Sequence, residues 1–337
     1  MTTIKDIAEY TGVSATTVSN VIHGKKNRVS PETIKKIEDA IEELHYVPNL
    51  FARSLVSSSS KVVAFVSHMP TSADVTFLNE SFQMIFLSTL ESVLKENGYY
   101  LMFRCVETAE ELKMFLQNWN VDGLLISGTM DSEFFESVKK ISVPIVLIDS
   151  YCVSEDICDV GLDDDGGTYL ATQHLIDNGH KRIVFTTTNM REGYVMNERL
   201  KGYRQALQDN NIAYSSKLVL ETGVDLESCR RLANDILAIG DVTGIVATTD
   251  IMAAGLITAF RELGKNVPED ISIVGFDNAP ISKMTVPPLT TISQDMVVKA
   301  TSATENIIKM LKGEKVENGR IEHPVELIIR QSVKKLN

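Results

Sequence analysis

Three carboxylates and one guanidinium group stand where the chain could bind a small polar molecule. Asp149, Asp250 and Asp277 each follow a short apolar run that is typical of a buried strand. Ligands of parallel α/β sheets bind beyond the carboxyl ends of the strands, where ionised carboxylates can accept hydrogen bonds from hydroxyl groups. Arg199 offers a planar, forked donor for a hydroxyl or an anionic group. Helix capping or an interdomain hydrogen bond is the alternative for each residue, and for Asp250 we favour capping of a helix that begins at Ile251.

No motif for catalysis or for metal binding is present. The sequence contains no glycine-rich phosphate loop, no HExxH and no GxSxG. The acidic run at 163–167 is better explained as a strand-to-helix turn rich in N-capping acids. His174 and His180 are expected to be structural. Four cysteines lack metal-ligand spacing and are expected to be reduced or buried thiols: Cys105, Cys152, Cys158 and Cys229. We therefore predict no enzymatic activity, no metal site and no cofactor.

A second group of polar side chains lies near the N-terminus, where two short helices flank a tight turn. Thr3 and Asp6 form a capping-box pattern for the first helix. Gly12 allows a sharp turn, and Ser14 caps a second helix from Ala15 to about Ile22. The outer face of this second helix carries small side chains suited to base edges and phosphates: Ala15, Thr16, Thr17, Ser19 and Asn20. The spacing predicts a DNA-binding helix-turn-helix, with an ordinary helical hairpin as the alternative.

A third helix is predicted to complete this all-α head. Ser30 is placed as its N-cap, Pro31 takes the first helical position, and apolar residues recur at helical spacing as far as Leu44. Basic side chains around its start are candidates for phosphate contacts, with a solvated basic face as the alternative: Lys25, Lys26, Arg28, Lys35 and Lys36. Residues 1–60 hold seven Lys or Arg and seven Asp or Glu, so the head is not basic overall.

From Lys61 onward, strand patterns and helix patterns alternate. The alternation begins with a strand at 62–66 and a helix at 82–96, and it repeats after Asp163. This pattern predicts an α/β body built from two doubly wound parallel sheets of similar size. The cleft between two such lobes is the expected place for a ligand.

Composition limits the cellular setting and the partners. The 337 residues, 44% of them hydrophobic, suit a small head plus one or two larger domains. The net charge of −12 lies entirely outside the head, so the acidic body disfavours nonspecific binding to polyanions. The sequence has no apolar run long enough to span a membrane and no secretory signal, so we expect a cytoplasmic protein without a membrane partner.

Several motifs in order resemble the LacI/GalR family of bacterial transcription regulators. In the head they are Ile4-Lys5-Asp6-Ile7-Ala8, Gly12-Val13-Ser14, Thr17-Val18-Ser19, and a tyrosine–proline–asparagine–alanine–arginine–leucine run within 46–55. Less specific matches in the body lie at 179–183, 199–203, 275–277 and 288–292. The resemblance implies a periplasmic-binding-protein-like body. It also implies a helix-turn-helix DNA-binding domain at 1–46, a hinge helix and linker at 47–60, an N-terminal effector lobe at 61–161 plus 292–321, and a C-terminal effector lobe at 162–291 plus 322–337.

The segment from Asn49 to Leu55 is too short to form a stable helix in isolation. The resemblance implies a hinge helix that orders on DNA, with Leu55 wedged into a base step of the minor groove. A simple packing role for Leu55 is the alternative. The residues implied to contact DNA are Thr3, Ser14, Ala15, Thr16, Thr17, Ser19, Asn20, His23, Arg28, Asn49, Ala52, Arg53 and Leu55.

The resemblance also implies a set of effector-binding residues, namely Asp149, Arg199, Thr249, Asp277 and Gln294. The chain departs from many relatives at three places. Thr249 stands where they have Asn, and no aromatic residue follows Gly223 to stack on a sugar. Asn20 stands where they have Arg, and because Asn pairs with adenine whereas Arg pairs with guanine, the preferred operator base is expected to differ.

Together these features predict a homodimeric, ligand-responsive transcription regulator that binds a pseudo-palindromic double-stranded DNA operator. We expect this regulator to act as a repressor. The expected effector is a small polar metabolite, a sugar or another carbohydrate derivative, held between the lobes and altering operator affinity. No heptad tail follows the strand at 327–329, which favours a dimer over a helix-tethered tetramer. Two alternatives stay open, namely a regulator controlled by a protein co-effector and a cytoplasmic sugar-binding module without a regulatory role.

Overall fold

The computed structural model describes residues 2–22, 24–46, 59–68, 81–128, 132–152, 157–188, 194–316 and 319–336. Contacts between Cα atoms divide the chain into two compact units, a head at Met1–Ser60 and a body at Lys61–Asn337. Within the described ranges, no helix is long and apolar enough to cross a lipid bilayer.

The described part of the head contains three helices, α1 (Ile4–Thr11), α2 (Ala15–Ile22) and α3 (Pro31–Glu43). Local side-chain caps begin each helix, as the sequence predicts. Thr3 and Asp6 form the reciprocal capping box of α1, Ser14 Oγ accepts from the Thr17 N–H at 3.1 Å, and Ser30 Oγ accepts from the Thr33 N–H at 3.2 Å. These caps satisfy backbone donors that a helix leaves unpaired at its start.

The turn between α1 and α2 depends on Gly12, which adopts a left-handed conformation with φ of 66°. A residue with a Cβ is strained in this conformation. The turn brings α2 against α1 and α3, where one apolar cluster forms the core of the head. Its fully buried members are Ile7, Val18, Val21, Ile37 and Ala40. All three helices therefore contribute buried apolar residues to this core.

The first lobe of the body is a six-stranded parallel sheet in the order β11-β5-β4-β3-β1-β2. Its strands are β1 (Val62–His68), β2 (Tyr100–Val106), β3 (Gly123–Gly128), β4 (Ile145–Ile148), β5 (Cys158–Leu162) and β11 (Gly319–His323). Its helices are α4 (Ser81–Glu96), α5 (Ala109–Asn118), α6 (Ser132–Val138) and α11 (Met296–Leu311). Apolar residues of α4 and α11 pack on one face of the sheet, and those of α5 and α6 pack on the other.

The second lobe is a six-stranded sheet in the order β12-β10-β9-β8-β6-β7, parallel except for β12. Its strands are β6 (Ile183–Thr187), β7 (Val219–Glu221), β8 (Gly244–Ala247), β9 (Ser272–Asp277), β10 (Thr290–Ser293) and β12 (Glu326–Ile328). Its helices are α7 (Asp164–Asp177), α8 (Tyr194–Asp209), α9 (Leu226–Ile239) and α10 (Asp250–Glu262). The α/β body with two sheets confirms the predicted fold class.

The chain passes between the two sheets three times. The sheet strands β5, β10 and β11 end at Leu162, Ser293 and His323, one or two residues beyond the crossings implied by the family resemblance. The lobe limits given above stay a prediction.

Close packing of α7 against α8 depends on Gly202. A Cβ at this position would lie 1.9 Å from the carbonyl oxygen of Asp165, so only glycine allows the two helices to approach this closely. Arg199 lies one turn earlier on α8, and Asp164 is the first residue of α7. The glycine contact therefore sets the distance across which these two charged side chains meet.

Candidate functional site

The second helix of the head presents a small, polar surface. Ser14, Ala15 and Thr16 are exposed, whereas Val18 and Val21 are buried on the opposite side. Ser14 Oγ lies 2.9 Å from Thr17 Oγ1. Thr17, Ser19 and Asn20 are half-buried. A helix with short side chains on its outer face can approach base edges closely, which is the arrangement of a recognition helix in the major groove.

The other residues predicted to contact DNA include exposed side chains of the head and several residues that lie outside the described ranges. Thr3 is exposed, and its side chain is part of the α1 capping box. Lys25, Lys26, Lys35 and Lys36 are exposed, and Lys26 Nζ forms a 2.6 Å ion pair with Glu38. The side chain of Arg28 is not described. Four predicted contacts in the hinge, together with one after α2, lie outside the described residues: Asn49, Ala52, Arg53, Leu55 and His23.

In the second lobe, Arg199 is the centre of a buried polar cluster. Its Nε donates to Asp164 Oδ1 at 2.8 Å, and its Nη1 donates to the carbonyl oxygen of Thr248. The guanidinium lies 3.5 Å from the centroid of the Phe276 ring, a cation–π contact. Burial lowers the pKa of Arg199, but the carboxylates of Asp164 and Asp277 together raise it above its ordinary value. Arg199 therefore stays charged and fixed in orientation.

Asp277 and Gln294 follow adjacent strands of the second sheet and contact each other. Asp277 is the last residue of β9, and Gln294 immediately follows β10. The Gln294 amide nitrogen Nε2 donates to Asp277 Oδ1, and the Gln294 side chain is buried. Two residues that the resemblance assigns to effector binding thus form a preformed polar pair at the carboxyl edge of this sheet.

In the first lobe, Asp149 follows β4 and pairs with a lysine from α11. Lys299 Nζ lies 2.6 Å from Asp149 Oδ2, and the Lys299 side chain is only 3% exposed. Burial raises the pKa of Asp149, Lys299 opposes that shift, and the negative charge of Asp164 adds to it. Asp149 lies two residues before Tyr151, whose hydroxyl donates to Asp164 of the second lobe.

Tyr151 connects the two lobes directly. It follows β4 by three residues, and its hydroxyl donates to Asp164 Oδ2 and lies 3.2 Å from the carbonyl oxygen of Leu162. Arg320 of β11 stacks on the Tyr151 ring at 3.7 Å and pairs with Asp159 at 2.7 Å. Burial and the neighbouring Asp164 raise the pKa of Tyr151, so its hydroxyl keeps its proton.

The predicted capping role of Asp250 is wrong. Helix α10 begins at Asp250, and the preceding Thr249 is its N-cap, because Thr249 Oγ1 accepts from the Met252 N–H at 3.3 Å. The buried Asp250 carboxylate instead accepts from the Ala279 N–H at 2.8 Å and from the Thr291 hydroxyl. Asp250 therefore joins the loop that follows β9 to strand β10, and the Thr249 side chain caps the helix.

Four residues of this region were not singled out from the sequence as site residues: Tyr151, Asp164, Lys299 and Arg320. Asp164 lies in the acidic turn that was explained by capping, and Asp163 does cap α7 by accepting from the Gly166 N–H at 2.9 Å. The sequence does carry an indication for Lys299, because this residue lies between Met296 and Ala300 on the inward face of an amphipathic helix. A charged residue at a buried helical position calls for a paired partner.

Comparison with known proteins agrees with both units. The model of bacterial regulatory proteins of the lacI family matches residues 3–49, and that of a periplasmic binding protein-like domain matches residues 172–333. The HTH-type transcriptional repressor PurR of Photobacterium profundum is 33% identical, covering 100% of both chains. Catabolite control protein A of Priestia megaterium is 30% identical, covering 98% of this chain and 99% of its own.

Solved structures support the same assignment. The lac repressor dimer bound to operator and the anti-inducer ONPF matches with a TM-score of 0.85 and 28% identity, covering 99% of each chain. The agreement extends over the helical head and the two-lobed body, and members of this family are regulators rather than enzymes. The chain therefore belongs to the lacI family of bacterial regulatory proteins and is a DNA-binding transcriptional repressor.

Proposed function

We propose that the chain represses transcription as a homodimer on a pseudo-palindromic operator, and that a small polar metabolite bound between the two lobes controls its operator affinity. The observation that carries the proposal is the buried polar cluster around Arg199, which lies at the carboxyl edge of one sheet and is joined through Tyr151 to the other lobe. A ligand that contacts this cluster would favour one arrangement of the lobes over another.

The DNA-binding part of the proposal rests on the outer face of α2, and the hinge residues at 49–55 stay part of it as a prediction. Asn20, in the last turn of α2, is the residue proposed to set the base preference of the recognition helix. We expect that Asn20→Arg shifts one operator position from adenine toward guanine, with a discrimination of about 1–3 kcal/mol for a bidentate pair. Selection of binding sites from a random DNA pool by both proteins measures this shift.

A matched control separates base reading from general DNA affinity. Lys35→Ala removes an exposed positive charge from α3 and is expected to weaken all DNA sequences to a similar degree, with a lower salt dependence. If Asn20→Arg selected the same operator as the unchanged protein, Asn20 would not read the base.

The ligand-binding part rests on side chains from both lobes, namely Asp149 in the first and Arg199, Thr249, Asp277 and Gln294 in the second. Carboxylate, amide and guanidinium groups together suit a hydroxylated molecule, and we propose a sugar or sugar derivative as the effector.

A thermal-shift screen of the full chain against sugars, sugar phosphates, nucleobases and amino acids tests this part. A ligand at a hundredfold excess over its Kd stabilises the native state by about 2.7 kcal/mol. Stabilisation that is lost in Arg199→Ala and Asp277→Ala but kept in Arg230→Ala, a surface variant, would support the site. No stabilisation by any compound would contradict metabolite control and favour a protein co-effector.

Two features support the homodimer. The lac repressor to which the chain is similar is described as a dimer on its operator. In this chain, large apolar side chains are exposed on the second lobe, where Met284 is 76% and Val286 is 73% accessible. Sedimentation of the full chain is expected to give a dimer mass, and Met284→Glu is expected to shift it toward the monomer. A DNA-binding repressor acts where the chromosome lies, so we propose a cytoplasmic location.

A further inference from the structure

Three cations around the ligand site described above are each paired with a carboxylate. Arg199 Nε lies 2.8 Å from Asp164, Lys299 Nζ lies 2.6 Å from Asp149, and Arg320 Nη1 lies 2.7 Å from Asp159. The three pairs come from both lobes. Two of them meet at Tyr151, whose hydroxyl donates to Asp164 and whose ring stacks against Arg320, and Asp149 lies two residues before Tyr151.

The pairs differ from surface ion pairs in their burial. The Arg199 and Asp164 side chains are 5% and 1% exposed, and the Lys299 side chain is 3% exposed. An anionic ligand would have to take a cation from its carboxylate, and a buried carboxylate that loses its partner is strongly destabilising. Asp277 adds a further carboxylate, which accepts from the uncharged Gln294 amide, so the carboxylates named here outnumber the three cations.

Buried atoms at the carboxyl ends of the strands lack hydrogen-bond partners among the described residues. Two are acceptors only, Asp149 Oδ1 and Gln294 Oε1. Three are hydroxyls at or next to the ends of β1, β6 and β8, on Ser67, Thr187 and Thr248. Buried polar groups are nearly always hydrogen-bonded, and a ligand that donates O–H or N–H groups at these strand ends would pair both acceptors.

We propose that the site between the lobes selects an uncharged ligand rich in O–H or N–H donors, and that its two buried ion pairs exclude phosphorylated ligands. This inference rests on the proposed function and narrows it, since sugar phosphates are removed from the expected effectors. The ligand would donate to Asp149 and Gln294 while the ion pairs stay intact, and a phosphate group would meet carboxylates whose cations are already engaged.

Inorganic phosphate is a probe that does not depend on the identity of the effector. We expect no saturable phosphate binding to the full chain by isothermal titration calorimetry. Asp149→Asn and Asp164→Asn should each gain phosphate binding, because each substitution leaves one buried cation without its carboxylate. The gain should be at least about tenfold over the unchanged chain, since like charges placed together weaken binding strongly. A purely structural role for either aspartate would give no such gain.

Glu262→Gln is the matched control. Glu262 pairs with Arg230 at 2.7 Å on the exposed surface of the second lobe, so its loss should not create phosphate binding. Matched titrations of ribose with ribose 5-phosphate, and of adenosine with its 5′-monophosphate, extend the test to organic ligands. For any pair that binds, the neutral member should bind at least about tenfold more tightly.

Three results would overturn the proposal. The first is saturable phosphate binding by the unchanged chain that the substitution Lys299→Met abolishes. The second is that Asp149→Asn and Asp164→Asn both fold but neither gains phosphate binding, and the third is a phosphorylated ligand that binds as tightly as its neutral counterpart. Each of these would leave metabolite control intact. Failure of every compound in the thermal-shift screen would instead contradict the proposed function itself.

Discussion

Tyr151→Phe removes one hydroxyl from the contact between the lobes and leaves the aromatic ring in place. The hydroxyl donates to Asp164, which is 1% exposed, so its loss deprives a buried carboxylate of a donor. Hydrogen bonds to charged groups contribute about 1.5–3 kcal/mol. The stacking of Arg320 on the ring at 3.7 Å should persist. We therefore expect the free energy that holds the two lobes together to fall by about 1.5–3 kcal/mol.

Urea unfolding followed by two signals measures this loss. Trp119, the single tryptophan of the chain, lies in the first lobe and reports on that lobe by fluorescence, whereas far-ultraviolet circular dichroism reports on both lobes. Tyr151→Phe should lower the transition midpoint and separate the two signals, because the lobes then unfold less cooperatively.

Tyr214→Phe is the matched control for this experiment. The Tyr214 hydroxyl accepts from Arg204 at 2.9 Å within the second lobe, and the residue is 40% exposed. Its loss should change the free energy of unfolding by less than about 0.5 kcal/mol. If Tyr151→Phe cost no more than this control and the two signals still coincided, the Tyr151 contact would not couple the lobes.

Three further predictions concern the turn, the helix pair and a buried carboxyl. Gly12→Ala should destabilise the head by about 1–2 kcal/mol and weaken operator binding. The φ of 66° is unfavourable for alanine, and the added methyl group would gain no packing contact among the described residues to offset that cost. Gly202→Ala should lower the stability of the body by about 1–3 kcal/mol through overpacking against Asp165, seen as a lower melting temperature. Burial raises the pKa of Asp250 to about 7, so its contribution to stability should decrease as the pH rises from 3.8, its ordinary pKa, to about 7. Melting temperatures of the unchanged chain and of Asp250→Asn across this window should show a smaller pH dependence in the variant.

Each of these predictions has a result that would contradict it. For Gly12→Ala, an unchanged melting temperature of the head would show that the left-handed turn carries no strain. For Gly202→Ala, full stability together with an intact Arg199–Asp164 pair would show that α7 and α8 can separate without cost. For Asp250→Asn, the same dependence on pH as the unchanged chain would assign that dependence to another group.

The three helices in the described part of the head could be predicted because their signals are local. A capping side chain bonds to a backbone N–H three residues later, as Thr3, Ser14 and Ser30 do, and Gly12 permits its turn through its own backbone. The alternation of apolar strands with amphipathic helices likewise predicted two sheets, since each pattern reports burial within a few residues.

The partners of the charged residues were decided only by the tertiary structure. Lys299 and Asp149 are 150 residues apart in sequence, and Asp164 and Arg199 are 35 apart. Asp164 and Asp250 looked like helix-capping acids because both lie at a strand-to-helix turn, yet Asp163 and Thr249 provide the caps. Local patterns show that a side chain lies at a strand end or on a buried helix face. Which opposite charge it meets depends on how close the packed elements come, as Gly202 sets the distance between α7 and α8, and no periodicity in the sequence encodes that distance.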